Sequence, residues 1–142
     1  MTEKIKIQFP VTMTSVSVAE DVLAAVTANA VSDKNIAYKI RTALSEAFSN
    51  AFLYCEKNFS DAAIELEFCF NKDRFVASVI NQGSGIADKA IKWNDFPSAM
   101  AESGRGLKII KKLSDKLEFI HHDDNRFEVR MEFSLQVGQK IN

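Results

Sequence analysis

Two cysteines, two prolines and five glycines are all that the 142-residue chain holds of the residues that staple, break or loosen a fold. Cys55 and Cys69 sit among apolar neighbours at a spacing that matches neither a zinc site nor a redox motif, which predicts buried free thiols in a reducing compartment. At this length about 68–70% of the unfolded surface is buried on folding, so a core forms without disulfide or metal. No fixed-period repeat, low-complexity tract or proline-rich linker divides the chain, and the expectation is one domain over residues 1–142. An excess of either charge is missing as well. Eighteen basic residues face 19 acidic ones, and no segment concentrates lysine and arginine as a phosphate-backbone binder requires, which argues against a nucleic-acid partner. No apolar run approaches the roughly 18–20 residues of a membrane span. The start, Met1-Thr-Glu-Lys-Ile, has no apolar signal region behind its charges, so the expected location is cytoplasmic, without a membrane partner.

What is present reads as alternating strands and helices. Ile5, Ile7 and Phe9 alternate with polar residues and predict a strand over Lys4–Phe9, closed by Pro10. Ser17 and Glu20 have capping-box spacing and predict a helix over about Val18–Val31, with Val22, Leu23, Val26 and Ala30 on its apolar face. Ser32 or Asp33 caps a longer helix over about Lys34–Lys57, free of proline and glycine. Strands Ala63–Phe70 and Phe75–Ile80 are joined by Asn71-Lys72-Asp73-Arg74 as a hairpin. From Asn81 to Ser103 periodicity is weak and predicts a long functional loop. A third helix is expected from Gly106 to Leu113, with Leu107, Ile110 and Leu113 inward and Lys108, Lys111 and Lys112 outward, followed by a hairpin of Lys116–Ile120 and Phe127–Val137. The phenylalanines Phe68, Phe70, Phe75, Phe127 and Phe133 are expected in the core. His121 and His122, adjacent on a strand end, point to opposite faces and make no metal pair. The sum is an α+β two-layer sandwich: a mixed, mostly antiparallel sheet covered on one face by three helices.

Three features carry chemistry. Along the long helix, Thr42, Ser45, Glu46, Ser49 and Asn50 form a narrow polar stripe, in which Glu46 and Asn50 stand one turn apart on one side. Taken alone, that pair is either a site or an ordinary solvated face. Asn81-Gln82-Gly83-Ser84-Gly85-Ile86 follows a strand, and its glycines permit a sharp turn or close approach to a ligand, or make a plain turn. Glu102-Ser103-Gly104-Arg105-Gly106-Leu107 leads glycines into a helix, where free N–H groups and the helix dipole receive a phosphate, or it is a flexible joint. The Walker pattern, which needs a lysine followed by serine or threonine, is not there.

In this order the three features resemble the N, G1 and G2 boxes of the GHKL superfamily of ATPases. Ser45-Glu46-Ala47-Phe48-Ser49-Asn50-Ala51 and Gly104-Arg105-Gly106-Leu107 are most similar to its anti-sigma factor serine/threonine kinase branch. The resemblance covers nearly the whole chain and implies the Bergerat ATP-binding fold, with ATP and Mg²⁺ as cofactors. It implies that Asn50 binds the metal and that Glu46 is the base toward the attacking hydroxyl. Gly83, Gly85 and Ile86 would flank the adenine pocket with Asn81, Gly104, Arg105, Gly106 and Leu107 would hold the phosphates, and residues Trp93 to Ala101 would form a lid. The partners it implies are an anti-anti-sigma factor with a STAS domain, a sigma factor and a second copy of the chain, in bacterial transcription regulation. Two positions depart from the branch. Asn81 replaces an aspartate that accepts from the adenine amino group, keeping one carbonyl acceptor without the charge, and Tyr54 stands where a histidine is usual. Asn81 leaves open a nucleotide-dependent or nucleotide-free binding switch with a degenerate site; the resemblance also leaves a stand-alone histidine kinase-type ATP-binding domain, which would act on another polypeptide.

Overall fold

The computed structural model describes residues 2–83 and 101–136, with the backbone alone for 101–105. Strand β1 spans Glu3–Pro10 and pairs antiparallel with β2, Ala63–Phe70, in a register that sets Phe9 opposite Ile64. β1 is an edge strand, so Pro10 takes its last position without breaking a ladder on both sides. β3, Arg74–Gln82, follows β2 through the expected hairpin. After α3, Ala101–Leu113, come β4, Lys116–His121, and β5, Arg126–Ser134. β5 inserts between β3 and β4, giving the order β1-β2-β3-β5-β4. All four pairings are antiparallel, so the mixed character expected of the sheet is absent from the described strands.

Helix α1 spans Met13–Ala30 and starts earlier than the Ser17–Glu20 pair predicts. Thr12 is the cap: its backbone is extended and its hydroxyl accepts from the Ser15 N–H at 3.2 Å. With Thr12 as the cap, two residues after β1, the helix starts at Met13 and includes Ser17 and Glu20. Glu20 is thereby free to accept a hydrogen bond from the Ser45 hydroxyl (2.6 Å) on helix α2, Lys34–Asn58. Asp33 caps α2, accepting from the Ile36 N–H at 2.9 Å.

α1, α2 and α3 pack on one sheet face. Alternation along the strands delivers Phe9, Leu66, Phe68, Phe75, Ala77, Phe127, Met131 and Phe133 to that face, where Leu23, Ile40, Leu44, Phe48, Leu107 and Ile110 meet them. Phe70 is half-buried, at the end of its strand. Burying one such side chain contributes about 1.5–3 kcal/mol. α3 begins at Ala101 rather than Gly106, so Gly104 and Gly106 lie inside it. Glycine costs a helix about 1 kcal/mol relative to alanine, and the burial of Leu107 and Ile110 offsets that cost. No helix among the described residues is long and apolar enough to cross a membrane.

No described helix covers the other sheet face, which carries ion pairs: Lys6 with Glu65 and Glu67, Arg126 with Glu65, Arg130 with Glu118 and Glu128, and Arg74 with Glu132. Cys69 lies on this face and is half-buried, unlike the expected buried thiol, because alternation turns Phe68 and Phe70 inward. Cys55 is buried, and burial pushes its thiol up in spite of a hydrogen bond with the Gln82 backbone. His121 lies against Phe127, with ring centroids 5.2 Å apart, while His122 turns to Glu128 at 2.8 Å. Among the described residues no group of three or more His, Cys, Asp or Glu gathers to hold a metal.

Glu128 is 3% exposed. Burial alone would raise its carboxyl, but the Ser78 hydroxyl, His122 and the Arg130 guanidinium outweigh it and hold the group below the usual 4.5. A depressed carboxylate adds stability that is present above the unfolded value and is lost as pH falls through the folded one. Glu128→Gln is therefore expected to cost about 1–3 kcal/mol at neutral pH, and the gap to the native chain should close as pH drops below 4.5. Urea melts from pH 3 to 7 measure this; a gap independent of pH would remove Glu128 from the acid response.

Candidate nucleotide site

The polar stripe of α2 is not a solvated face. Thr42, Ser45, Glu46, Ser49 and Asn50 are all half-buried. Ser45 is held by α1, and Glu46 and Asn50 look toward α3. The helix period dictates this, since a residue one turn on repeats the same direction, while Ala43, Ala47, Phe48 and Ala51 fill the flank toward the sheet.

Gly106 makes the close approach possible. A Cβ there would stand 2.6 Å from Glu46 Oε1, 3.6 Å from Asn50 Nδ2 and 3.7 Å from Asn50 Oδ1. Any side chain here would displace the end of the Glu46 side chain, so glycine sets where the carboxylate sits. Asn50 Nδ2 is buried and is the one fully buried side-chain polar atom among the described residues without a hydrogen-bond partner. An orphan donor of this kind costs about 1–3 kcal/mol, a cost a ligand removes by supplying an acceptor.

Asn50 opens onto a narrow cleft of about 20 Å³ whose walls include Tyr54, Asn81, Leu107 and Phe127. That space admits a group the size of a water molecule. Asn81 is 4% exposed and its Nδ2 donates to the Gln82 carbonyl at 2.8 Å, which leaves its side-chain oxygen as an acceptor without a partner among the described residues. An ionised aspartate could not make that donation, and at this burial it would need a countercharge. The strand ends at Gln82, and the φ of 89° at the following Gly83 favours glycine. Its N–H donates to the carbonyl of Asn125 at 2.8 Å, which ties it to the β4–β5 turn.

The structure thus brings Asn50, Asn81 and Leu107 around one cleft, with Glu46 and Gly106 beside Asn50 and Gly83 beside the Tyr54 wall. Gly85, Ile86 and the segment expected as a lid up to Met100 lie outside the described residues, as does the side chain of Arg105. Gly104 and Gly106 do not lead into α3 as expected: the N–H of Gly106 is engaged inside the helix, five residues past its start. Two contacts escaped sequence reasoning. The Glu20–Ser45 bond joins elements far apart in the chain, and Phe59, an aromatic residue directly after the polar run Glu56-Lys57-Asn58, lies with its ring against Gly83. Only the apolar character of Phe59 at a helix end hinted at an anchor.

Comparison with known proteins bears on the family and the fold. Residues 9–133 match the model of the histidine kinase-like ATPase domain. The anti-sigma F factor of Clostridium beijerinckii is 28% identical over 83 residues, a match that covers 56% of this chain and 57% of that protein. The chain therefore spans little more than half of that curated relative. Among solved structures, the RsbU and RsbW domains of a Mycobacterium tuberculosis protein superpose with a TM-score of 0.67 at 17% identity, over 94% of this chain and 32% of that one. A chain of the SiaB–SiaC complex from Pseudomonas aeruginosa gives 0.68 at 14% identity, over 91% and 88%. At those identities the likeness concerns the fold, a five-stranded antiparallel sheet under three helices. With the family model covering most of its length, the chain belongs to the histidine kinase-like ATPase domain family, a group of ATPase and kinase-type proteins.

Proposed function

We propose that residues 1–142 act as one ATP-binding domain that works as an anti-sigma factor-type serine/threonine protein kinase. The observation that carries this reading is the buried Asn50 amide, whose Nδ2 lacks an acceptor, beside Glu46 and the bare Cα of Gly106. A carboxylate and an amide suit a magnesium ion, which takes oxygen ligands, keeps most of its shell as water and phosphate oxygens, and so needs few protein ligands. Asn50 would hold that ion through its side-chain oxygen, and the ion would neutralise charge on the phosphates, while the orphan Nδ2 would donate to a phosphate oxygen. Asn81 would accept from the adenine amino group through its free carbonyl oxygen. Glu46 would take the proton of a substrate serine or threonine hydroxyl as that oxygen bonds to the γ-phosphorus and the bond to the ADP oxygen breaks. The protein's part is positioning and electrostatics.

The anti-sigma F relative and the fold neighbours support a bacterial regulatory role. The substrate in this reading is an anti-anti-sigma partner with a STAS domain, the second partner a sigma factor, the assembly a homodimer and the place of action the cytoplasm. Calorimetric titration of ATP with and without magnesium tests the site. The native chain should bind more tightly with the metal, and Asn50→Ala should lose about 10–100-fold, the range for a charge-assisted contact, together with the magnesium dependence. A native chain that binds no ATP in either condition would sink the reading.

A further inference from the structure

The end of β3 is clamped by the C-terminal turn of α2. Phe59, the C-cap of α2, has its N–H on the Cys55 carbonyl at 2.7 Å, which fixes its backbone. Its ring occupies the space a side chain at Gly83 would need: a Cβ there would meet Phe59 Cε2 at 2.5 Å and Cζ at 2.9 Å, and the Tyr54 hydroxyl at 3.0 Å. The Tyr54 and Phe59 rings are in contact, with centroids 5.9 Å apart, and Tyr54 is a wall of the cleft. One residue further in, the Cys55 thiol meets the Gln82 backbone. Consecutive parts of one helical turn therefore hold Gln82 and Gly83, next to Asn81, from one side, while Asn125 holds Gly83 from the other.

We propose that Phe59 is a positioning residue for the nucleoside end of the cleft: it backs the Tyr54 wall and locks Gly83 at positive φ, so that the Asn81 carbonyl oxygen is presented in a fixed place. This rests on the nucleotide reading above and assigns a role to a residue that touches no ligand. A wall fixed before binding spares the ligand the cost of ordering it, and that cost is of the size of an interfacial side chain. Without the ring, Tyr54 loses its support and Gly83 its stop, and the loss falls on the nucleoside rather than on the phosphates.

The experiment is calorimetric titration of ADP, with and without magnesium, into the native chain, Phe59→Ala, Phe59→Leu, Phe59→Tyr and Asn50→Ala, with thermal melts alongside. Phe59→Ala and Phe59→Leu should weaken ADP about tenfold, as for one lost aromatic contact, equally in both conditions. Phe59→Tyr should restore native affinity. Asn50→Ala should instead lose the magnesium dependence. If Phe59→Ala does not fold, Phe59→Leu, which keeps bulk without a ring, decides. A folded Phe59 variant that melts earlier but binds ADP as the native chain does would reduce Phe59 to a core residue and overturn the inference, leaving the nucleotide site intact. No ADP binding by the native chain would remove both.

Discussion

Glu46→Gln is expected to slow phosphoryl transfer about 10²–10⁴-fold, the contribution of one positioned general base, while ATP binds as before. Glutamine has the same length and the same planar end group, so it fits the space between Asn50 and Gly106 that the carboxylate occupies. It cannot take a proton at neutral pH. A loss confined to the rate with unchanged ATP affinity marks an interaction made in the transition state alone. The measurement is single-turnover transfer from labelled ATP to a STAS-domain substrate, with binding followed separately. If the variant keeps its rate, the hydroxyl proton leaves by another route and Glu46 is a structural neighbour of Asn50. If both rate and affinity fall, the carboxylate is part of the metal shell.

Gly106→Ala is expected to separate stability from activity. Inside a helix the change gains up to about 1 kcal/mol from propensity, so the melting temperature should hold or rise. The new methyl would stand 2.6 Å from Glu46 Oε1, closer than any Cβ tolerates, and what yields is the end of a flexible side chain. A carboxylate shifted by about 1 Å costs on the order of 100-fold in rate. The predicted variant is thus a well-folded protein with a transfer defect close to that of Glu46→Gln, and combining the two changes should add little further loss, because both act on one group. A Gly106→Ala protein that melts early and transfers normally would show that the glycine serves helix packing alone.

Much of the site was legible because local rules govern its parts. Glu46 and Asn50 are one turn apart on a helix without breakers, so their common direction follows from the 3.6-residue period whatever surrounds them. The β2–β3 hairpin and the inward phenylalanines Phe68, Phe75 and Phe127 follow from alternation and a polar connection. Helix starts were read less well. Ser17 and Glu20 have the spacing of a cap, yet Thr12 preceded them and the helix ran through both; Gly104 and Gly106 look like a break, yet α3 includes them. In each case packing or an earlier cap outweighed a preference of about 1 kcal/mol.

The sequence alone determined the order and type of the elements, the apolar face of each and the family resemblance, since periodicity and the order of the Glu46–Asn50, Asn81–Gly83 and Gly104–Gly106 segments are read along the chain. The tertiary structure decided what those segments do to each other. That Gly106 makes room for Glu46, that Asn50 Nδ2 is buried without a partner, that Asn81 turns its nitrogen to the Gln82 carbonyl, and that Phe59 closes on Gly83 are facts of contact between residues distant in sequence. Such contacts are set by which strand inserts beside which and how closely two helices approach, and no local preference encodes either distance.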